Sequence, residues 1–320
     1  MKRYVITGGA GFIGSNIAAT LLRQSDTDVV IVDDFSSGDW RNLIPLDCEV
    51  RAADCDDPHL LAEIAAGEYH GVFHEAAITD TTVMDQRRMV EVNTNAFKSL
   101  LEATAASSTR LVYASSAGTY GNSAAPNAIG RGEQPENIYG FSKLAMDRIA
   151  SRFYARHHGG IVGLRYFNVY GPGEHHKHER NGNNTASMML QLYMKAKAGE
   201  QLRLFKYGEQ QRDFVYIRDV IDANLEAMNG TLSGVCNVGS GRARCFNDAV
   251  TILGDALGQS FDVEYFDNPF SFYQMHTEAD LSETQRILDW QPTCTLETGM
   301  RDYIQRLELG QRGPLDGVHD

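Results

Sequence analysis

A tyrosine and a lysine, Tyr139 and Lys143, lie four positions apart in the pattern Y-x-x-x-K. On a helix, residues at i and i+4 share a face, so the ammonium group can lie near the phenol. A free phenol has a pKa of about 10 and is a weak base at neutral pH, and a neighbouring cation lowers that pKa. Ser116, at the end of the preceding strand run, can hydrogen-bond the same substrate oxygen. Together these side chains predict an acid–base group that moves a proton on or off an alcohol while hydride moves to or from a cofactor.

Three glycines near the start of the chain fit a loop that binds a pyrophosphate: Gly8, Gly11 and Gly14. They follow the first predicted strand and open the first predicted helix, whose first turn contains Phe12 and Ile13. Glycine lets the chain turn tightly and lets backbone N–H groups approach a phosphate, and the helix N-terminus adds a partial positive charge. The pattern predicts a dinucleotide site at these five residues. The alternative is a tight strand-to-helix turn without a ligand.

Two adjacent acids end the second predicted strand, and the first of them, Asp33, lies 19 positions beyond Gly14. A carboxylate there can accept both hydroxyls of an adenosine ribose and repels a 2′-phosphate, so Asp33 and Asp34 favour NAD over NADP. Arg41, eight positions beyond Asp33, could reverse this preference. Asp54, which we place at the end of the third strand, either meets the adenine edge or is a solvated strand-end acid.

Short β-branched runs alternate with helical patterns through the first half of the chain. The predicted strands are 4–7, 28–33, 50–53, 71–74, 110–114 and 161–166. The predicted helices start at Phe12, follow a stripe from Met89 to Ala103, and start again near Gly140. Strands that are almost wholly apolar are typical of a parallel sheet covered by helices on both faces. We therefore expect an α/β protein with a Rossmann-type doubly wound parallel sheet.

The second half of the chain is less regular. We expect a helix at 185–197, strands at 214–217 and 235–238, a last helix near 296–307, and a loop over the polar stretch 175–184. The predicted dinucleotide-binding domain is 1–168 plus about 214–243. A smaller substrate-binding lobe, about 169–213 and 244–320, is then interleaved with the sheet rather than attached by a linker.

The composition is that of an ordinary folded protein and excludes several classes of function. The chain has 320 residues, 42% of them hydrophobic, and a formal net charge of −13. This acidic balance argues against a nucleic-acid partner or an anionic membrane surface. No apolar run approaches the roughly 18 residues of a membrane span. The five cysteines are scattered, which favours a reducing cytoplasm and no metal site.

Several segments resemble, in order and spacing, the extended short-chain dehydrogenase/reductases, a family that includes nucleotide-sugar epimerases and dehydratases. These segments are TGGAGFIGSN at 7–16, YASSAGTYG at 113–121, YGFSK at 139–143 and LRYFNVYGPGE at 164–174. A further set is similar to the subgroup that epimerises ADP-heptoses: HEAA at 74–77, TDTT at 79–82, TASM at 185–188, RDFVY at 212–216, and the stretches 268–269 and 272–277. The resemblance covers nearly the whole chain.

The resemblance implies a reaction cycle without net redox change. NAD or NADP takes hydride from C6″ of an ADP-glycero-manno-heptose, and the resulting ketone turns in the pocket and receives hydride on its other face. Inversion then needs an acid/base on each side of that carbon. Tyr139 serves one face with Ser116 and Lys143, and Lys177 serves the other, where desolvation lowers the pKa of a lysine. We also expect a homo-oligomer.

Three histidines surround Lys177 and leave its role open. His175, His176 and His178 either compete for the second acid/base position or belong to a solvated, mobile loop. The resemblance places Ala76, Ala77 and Asn93 at the cofactor site, where Asn93 orients water or backbone.

The resemblance assigns the substrate to the second half of the chain. Asn168 contacts the sugar or diphosphate, Ser187 precedes a helix and suits a phosphate, and Arg212 has a planar fork that can clamp a diphosphate. Tyr273, with Phe272, lines the sugar pocket. The alternatives are a salt bridge from Arg212 to Asp213 or Asp219, and core packing of the two aromatic rings.

Three other functions remain open at this point. A dehydratase of the same fold would need an acid directly after the catalytic serine, and Ala117 and Gly118 occupy those positions. A UDP-hexose 4-epimerase would use the same serine, tyrosine and lysine without needing Lys177. A non-catalytic cofactor-binding protein would usually lack the tyrosine or the lysine, and both are present here. Taken alone, the Y-x-x-x-K pattern could also be an exposed tyrosine and a solvated lysine.

Overall fold

The computed structural model describes residues 1–179, 185–267 and 275–315. Its strands are β1 (Lys2–Thr7), β2 (Thr27–Asp33), β3 (Glu49–Ala52), β4 (Gly71–His74), β5 (Arg110–Ser116), β6 (Ile161–Tyr166), β7 (Asn168–Tyr170), β8 (Leu202–Phe205), β9 (Gln211–Tyr216), β10 (Gly234–Val238), β11 (Ala243–Cys245) and β12 (Val263–Phe266). Its helices are α1 (Phe12–Leu22), α2 (Pro58–Ala65), α3 (Gln86–Val90), α4 (Ala96–Ser107), α5 (Ile138–Ser151), α6 (His176–Glu179), α7 (Met188–Ala198), α8 (Ile217–Asn229), α9 (Phe246–Leu257), α10 (Ser282–Leu288) and α11 (Leu296–Glu308). Within these residues, no helix is both long enough and apolar enough to cross a membrane.

Seven strands form the main sheet in the order β10-β6-β5-β4-β1-β2-β3, and every neighbouring pair is parallel. The predicted Rossmann-type doubly wound sheet is therefore confirmed. The strand order reverses between β1 and β4, so the connections that leave these two strands run in opposite directions. In sheets of this kind the reversal opens a crevice at the carboxyl ends of the two strands, where ligands bind.

Both faces of the main sheet are buried, which explains its unbroken apolar strands. In β2, Val29 and Ile31 belong to the core on one face, whereas Val30 and Val32 belong to the core on the other. None of these four side chains exposes more than 1% of its surface. Because full burial of such a side chain is worth about 1.5–3 kcal/mol, these two apolar layers hold the sheet together.

Two smaller sheets come from the second half of the chain. β9 lies between β7, which is parallel to it, and β11, which is antiparallel, while β8 pairs with β12. β10 instead joins the edge of the main sheet beside β6. The chain thus returns to the main sheet after it has formed β7, β8 and β9. The division into two lobes at the boundaries given above stays a prediction.

The polar stretch that starts at His175 is not the loop expected from its sequence. It contains helix α6, and the side chains of Glu174, His175 and His176 are buried. Buried polar groups depend on hydrogen-bond partners that are distant in sequence, and a local pattern cannot show such partners. Residues 180–184 of this stretch lie outside the described residues.

Two element boundaries also differ from the expectation. α7 begins at Met188 rather than near residue 185, because the hydroxyl of Ser187 accepts the N–H of Leu190 at 3.3 Å and caps the helix. The strand expected at 214–217 is β9, and Ile217 is already the first residue of α8.

A buried ion pair ties α5 to the main sheet. Arg165 of β6 donates to Asp147 of α5 at 2.9 Å and to Glu133 at 2.7 Å. Asp147 also accepts the hydroxyls of Tyr113 and Ser115, at 2.9 and 3.0 Å. Burial raises the pKa of the Asp147 carboxyl, and the Arg165 cation opposes that rise. The network therefore fixes the helix that contains the Y-x-x-x-K pair.

We expect Arg165→Met to destabilise the protein by about 3–5 kcal/mol, because it leaves the Asp147 carboxylate buried without its cation. Denaturant unfolding measures this free energy. The matched control is Lys98→Met, which removes an exposed ion pair to Glu102 of 3.7 Å and should cost about 1 kcal/mol or less. Equal unfolding free energies for the two variants would contradict the role of the buried pair.

Candidate active site

The glycine turn between β1 and α1 is too tight for side chains. Gly8 has a φ of +72°, and a Cβ there would lie 2.5 Å from a backbone nitrogen of the segment after β4. A Cβ on Gly14 would overlap the carbonyl oxygen of Gly8. Gly11 is the N-cap of α1, so no side chain caps the N–H groups of the first turn, which includes Phe12 and Ile13. This turn fits a phosphate, since uncapped helix N-termini bind anions.

Asp33 ends β2 beside the glycine turn and is 5% exposed. Its carboxylate accepts the backbone N–H groups of Ala10, at 2.9 Å, and Phe35, at 2.8 Å. Asp34 is exposed and accepts the backbone N–H and the hydroxyl of Ser36, at 2.9 and 2.7 Å. Asp33 is thus held where Rossmann-type proteins bind an adenosine ribose, and Asp34 stabilises a local turn.

The side chain of Arg41 has an acidic partner nearby. Its guanidinium donates to both carboxylate oxygens of Asp39, at 3.0 and 2.7 Å. This bidentate hydrogen bonding lowers the pKa of Asp39 to about 2. Asp54 is exposed and lies beyond β3, which ends at Ala52 rather than at Asp54 as expected.

The serine, tyrosine and lysine of the predicted acid–base group lie at the carboxyl end of β5. Ser116 ends β5, and its hydroxyl hydrogen-bonds the backbone N–H of Gly118, at 3.0 Å, and the phenol of Tyr139. Asn137 caps α5 by accepting a first-turn N–H at 2.8 Å. The capped start puts Tyr139 in the first turn and Lys143 one turn later, as their spacing predicts.

Burial governs the protonation of this group. It raises the pKa of Tyr139 above its usual 10.0, and the hydrogen bond with Ser116 opposes the rise. It lowers the pKa of Lys143 to about 8. The expected lowering of the tyrosine pKa is therefore wrong for this structure. The Lys143 ammonium donates to the carbonyl of Ala114 at 2.8 Å. Desolvation has the largest effect on the pKa of Tyr139, larger than that of the hydrogen bond with Ser116.

The segment after β4 is held against the glycine turn by Asn93. Ala76, whose nitrogen approaches the glycine turn, and Ala77 follow β4 directly and are partly buried. Asn93 accepts the N–H of Ile78 at 2.8 Å, donates to its carbonyl at 3.0 Å and donates to Ser142 of α5 at 3.0 Å. Asn93 lies in a π-helical turn, Glu91–Asn95, between α3 and α4. It therefore orients backbone at the crevice.

Lys177 contacts the start of α1. Its ammonium is 5.0 Å from the ring centroid of Phe12, at the start of α1 directly after β1. Tyr139 contacts Ser116 at the end of β5, and β4 lies between β1 and β5. Burial lowers the pKa of Lys177, and the Glu174 carboxylate opposes that shift. Lys177 is thus beside the helix that follows β1, and Tyr139 is beside the end of β5.

Asn42 joins the segment before Lys177 to the glycine turn. Its amide nitrogen donates to the carbonyls of Ala10 and Gly173, both at 3.1 Å, and lies 3.3 Å from Nδ1 of His176. His175 and His176 are 8% and 6% exposed, so the interpretation of these two histidines as a solvated loop is wrong. His178 is partly buried.

Glu174 fixes the same segment to α7. Its carboxylate accepts the N–H of Gly171 at 3.2 Å, and the N–H and hydroxyl of Ser187 at 2.6 and 2.7 Å. Burial raises the pKa of Glu174. Ser187, which the resemblance assigns to substrate, thus binds Glu174 and caps α7 in this structure.

The other predicted substrate residues lie on the small sheet or outside the described residues. Asn168 is the exposed first residue of β7 and is paired in register with Phe214 of β9. Arg212 lies on β9, and its guanidinium donates to the carbonyl of Gln211 at 2.8 Å. Tyr273 and Phe272 lie outside the described residues.

The two acids weighed as partners of Arg212 accept other donors. Asp213 accepts the N–H groups of Ser240, Gly241 and Ala279, at 2.6, 3.0 and 3.0 Å, and the hydroxyl of Ser240 at 2.7 Å. Asp219 accepts the N–H and hydroxyl of Thr293, at 3.0 and 2.9 Å, and the N–H of Cys294 at 3.0 Å. Both carboxylates therefore anchor loops.

The sequence patterns do not point to Glu75, Asn42 or Glu174 as site residues, yet all three lie at the crevice. The one available signal is Glu75, an acid that directly follows a fully buried strand. Asn42 bonds Ala10 and Gly173, and Glu174 bonds Ser187, all more than ten residues away, and no local pattern shows such partners. Across residues 1–179, 185–267 and 275–315, no group of three or more His, Cys, Asp or Glu side chains could hold a metal ion.

We expect Gly8→Ala to weaken NAD binding at least about tenfold, or about 1.4 kcal/mol, because the new Cβ would displace the segment at Ala76. Calorimetric titration measures the affinity. Gly67→Ala is the matched control, since Gly67 also has a positive φ, +79°, but its Cβ would meet no atom closer than 3.8 Å. Unchanged affinity in Gly8→Ala would show that this turn does not bind the dinucleotide.

Several epimerases of known structure are similar to this chain in sequence and fold. The chain is similar to ADP-L-glycero-D-manno-heptose-6-epimerase of Helicobacter pylori, with 44% identity over 96% of each chain and a TM-score of 0.87. It is similar to UDP-glucose 4-epimerase of Thermotoga maritima, with 26% identity over 96% of this chain and 99% of that one, and a TM-score of 0.84.

A third similar structure is UDP-glucuronic acid 4-epimerase of Bacillus cereus in complex with UDP-glucuronic acid and NAD. It shares 26% identity over 95% of this chain and 99% of its own, with a TM-score of 0.80. The model of the NAD dependent epimerase/dehydratase family matches residues 4–239. With that match over most of its length, the chain belongs to the NAD dependent epimerase/dehydratase family.

Proposed function

We propose that this protein is a nucleotide-sugar epimerase that inverts C6″ of an ADP-glycero-manno-heptose with bound NAD. One observation supports the proposal: the sheet brings two titratable side chains to the carboxyl-end region of its strands, with Tyr139 beside Ser116 at the end of β5 and Lys177 beside Phe12, which follows β1. Inversion at a carbon requires proton transfer on both of its faces. The choice of sugar is supported by the 44% identity to the heptose epimerase, against 26% to the UDP-glucose 4-epimerase.

The residues of the crevice fit a nicotinamide dinucleotide. The glycine turn leaves no room for a Cβ at Gly8 or Gly14, and Asp33 lies beside it. Arg41, the residue that could favour NADP, is bound in bidentate fashion by Asp39, which supports NAD. When bound, such a dinucleotide accepts hydride and later returns it.

The side chains around the crevice divide the proton transfers between them. Ser116 and Tyr139 hold the oxygen of the sugar alcohol, and Tyr139 removes its proton. Lys177, as the ammonium, returns a proton to that oxygen when the sugar presents its other face. In the reverse direction Lys177 is the base, and burial favours the neutral form that a lysine base requires.

Arg212 is the residue that we propose for the diphosphate. Arg212 lies on β9, which pairs with β7. β7 starts at Asn168, two residues after β6 ends at Tyr166, so Arg212 is on a strand next to the one that continues from the main sheet. A guanidinium can bind two phosphate oxygens at once, which fixes the nucleotide while leaving the sugar free to rotate.

The reaction is tested by proton NMR of the purified protein with ADP-D-glycero-D-manno-heptose, first without and then with added NAD. We expect the L-glycero epimer to appear. Turnover of UDP-galactose, with none of the ADP-heptose, would replace our substrate with a UDP-hexose. If neither the ADP-heptose nor UDP-galactose is turned over, the epimerase proposal is wrong, and the family assignment is unaffected.

The two acid/base roles are tested separately. We expect Tyr139→Phe to lower the turnover number by about 100- to 10,000-fold, the usual contribution of a general acid/base. Lys177→Met should block epimerisation by a similar factor but allow a slow half-reaction, seen as reduced-cofactor absorbance that stays with the protein. His178→Ala is the control. If His178→Ala loses epimerase activity while Lys177→Met turns over normally, His178 rather than Lys177 is the second acid/base.

Lys143→Met is expected to weaken both NAD affinity and turnover. The Lys143 ammonium is 1% exposed and lies one turn after Tyr139, where it can reach the hydroxyls of a nicotinamide ribose. Calorimetric titration and steady-state kinetics separate the two effects. Normal NAD affinity with reduced turnover would place Lys143 in proton transfer alone.

A further inference from the structure

Glu75 is a carboxyl in the middle of the crevice that the proposed reaction does not use. It directly follows β4, the strand between β1 and β5, and its backbone N–H donates to the carbonyl of Thr7 at 2.9 Å. Its side chain is only partly exposed. A carboxyl therefore lies at the end of β4, next to the end of β5, where Ser116 and Tyr139 lie.

The carboxyl of Glu75 is held by an ordered pair of side chains. Tyr166, the last residue of β6, donates its hydroxyl to Oε1 of Glu75 at 3.0 Å. Asn224 of α8 donates its amide to the same hydroxyl at 2.9 Å, while its own oxygen is farther away, at 3.2 Å. A hydroxyl has one hydrogen, so the chain Asn224 to Tyr166 to Glu75 runs in one direction and keeps the carboxyl in place.

Titratable groups face Glu75 from three elements. Burial raises the pKa of Glu75 to about 8, and the Tyr166 hydrogen bond and the Lys143 ammonium of α5 oppose that rise. From the same helix, Tyr139 has its pKa raised by the Glu75 carboxylate. On its own element, His74 hydrogen-bonds Thr7, and burial lowers the pKa of His74 to about 3, so it is neutral.

We propose that Glu75 controls the basicity of Tyr139 through its own protonation. As a neutral carboxyl it allows Tyr139 to ionise to the phenolate that accepts the substrate proton, and as a carboxylate it opposes that ionisation. The reason is that a phenolate and a carboxylate would put two negative charges into one crevice poor in water. This inference rests on the proposed role of Tyr139. Glu75 acts through Tyr139, and is a positioning residue rather than a catalytic one.

The first experiment measures the ionisation of Tyr139 in the protein without turnover. Carbon-13 labelling of the tyrosine ring allows an NMR titration, and Tyr139→Phe identifies the resonance. We expect the pKa of Tyr139 to be lower in Glu75→Gln than in the unsubstituted protein, because the amide keeps an acceptor for Tyr166 but has no charge. Glu102→Gln, an exposed substitution in α4, is the control and should not move it. An equal pKa of Tyr139 in the unsubstituted and Glu75→Gln proteins would overturn the proposal.

A second experiment follows the Glu75 proton directly. Infrared difference spectra between the unsubstituted and Glu75→Gln proteins isolate the carbonyl stretch of its protonated carboxyl from those of other buried acids. We expect this band at neutral pH and its loss with a midpoint near 8. Tyr166→Phe removes a donor that favours the carboxylate, so it should move the midpoint upward, and it serves even if Glu75→Gln fails to fold. A carboxyl already ionised at neutral pH would overturn the proposal.

The pH profile connects both measurements to the reaction. We expect the rising limb of turnover against pH to move to lower pH in Glu75→Gln, in step with the pKa of Tyr139. A purely structural role would lower turnover at every pH without moving the limb. If the protein does not turn over the ADP-heptose, the NMR and infrared titrations still decide the role of Glu75, so the two failures are distinguishable.

Discussion

The reversal of strand order between β1 and β4 is the constraint on which the site depends. Because connections leave these two strands in opposite directions, their carboxyl ends open into one crevice. The glycine turn follows β1, Glu75 follows β4, and Ser116 ends β5. Groups that are distant in sequence therefore meet at one edge of the sheet. A change in the order of these strands would separate the groups even if every local element survived.

Removal from water is the second common factor. It raises the pKa values of Tyr139, Glu75 and Glu174, and it lowers those of Lys143 and Lys177. Each shift favours the neutral form of the group, as expected where charge is poorly solvated. A crevice of neutral acids and bases is suited to chemistry in which protons move and no net charge accumulates.

The local elements could be predicted because their causes are local. Apolar runs over β1, β2 and β4 to β6 indicate strands buried on both faces, and the structure has them there. The glycines of the first turn predict that another backbone segment packs closely against it, and the backbone of Ala76 does so at Gly8. The spacing of Tyr139 and Lys143 needs only a helix of known start, which Asn137 caps.

The sequence by itself determined the sheet, the glycine turn and the residue types of the acid–base group, since each depends on the pattern of neighbouring residues. Only the tertiary structure decided that His175 and His176 are buried and that Ser187 binds Glu174. The contacts of Lys177 with Phe12 and of Glu75 with Tyr166 also exist only in the tertiary structure. The physical reason is that burial and hydrogen-bond partners come from residues far apart in the chain, and desolvation, which sets each pKa, exists only once those residues have packed together.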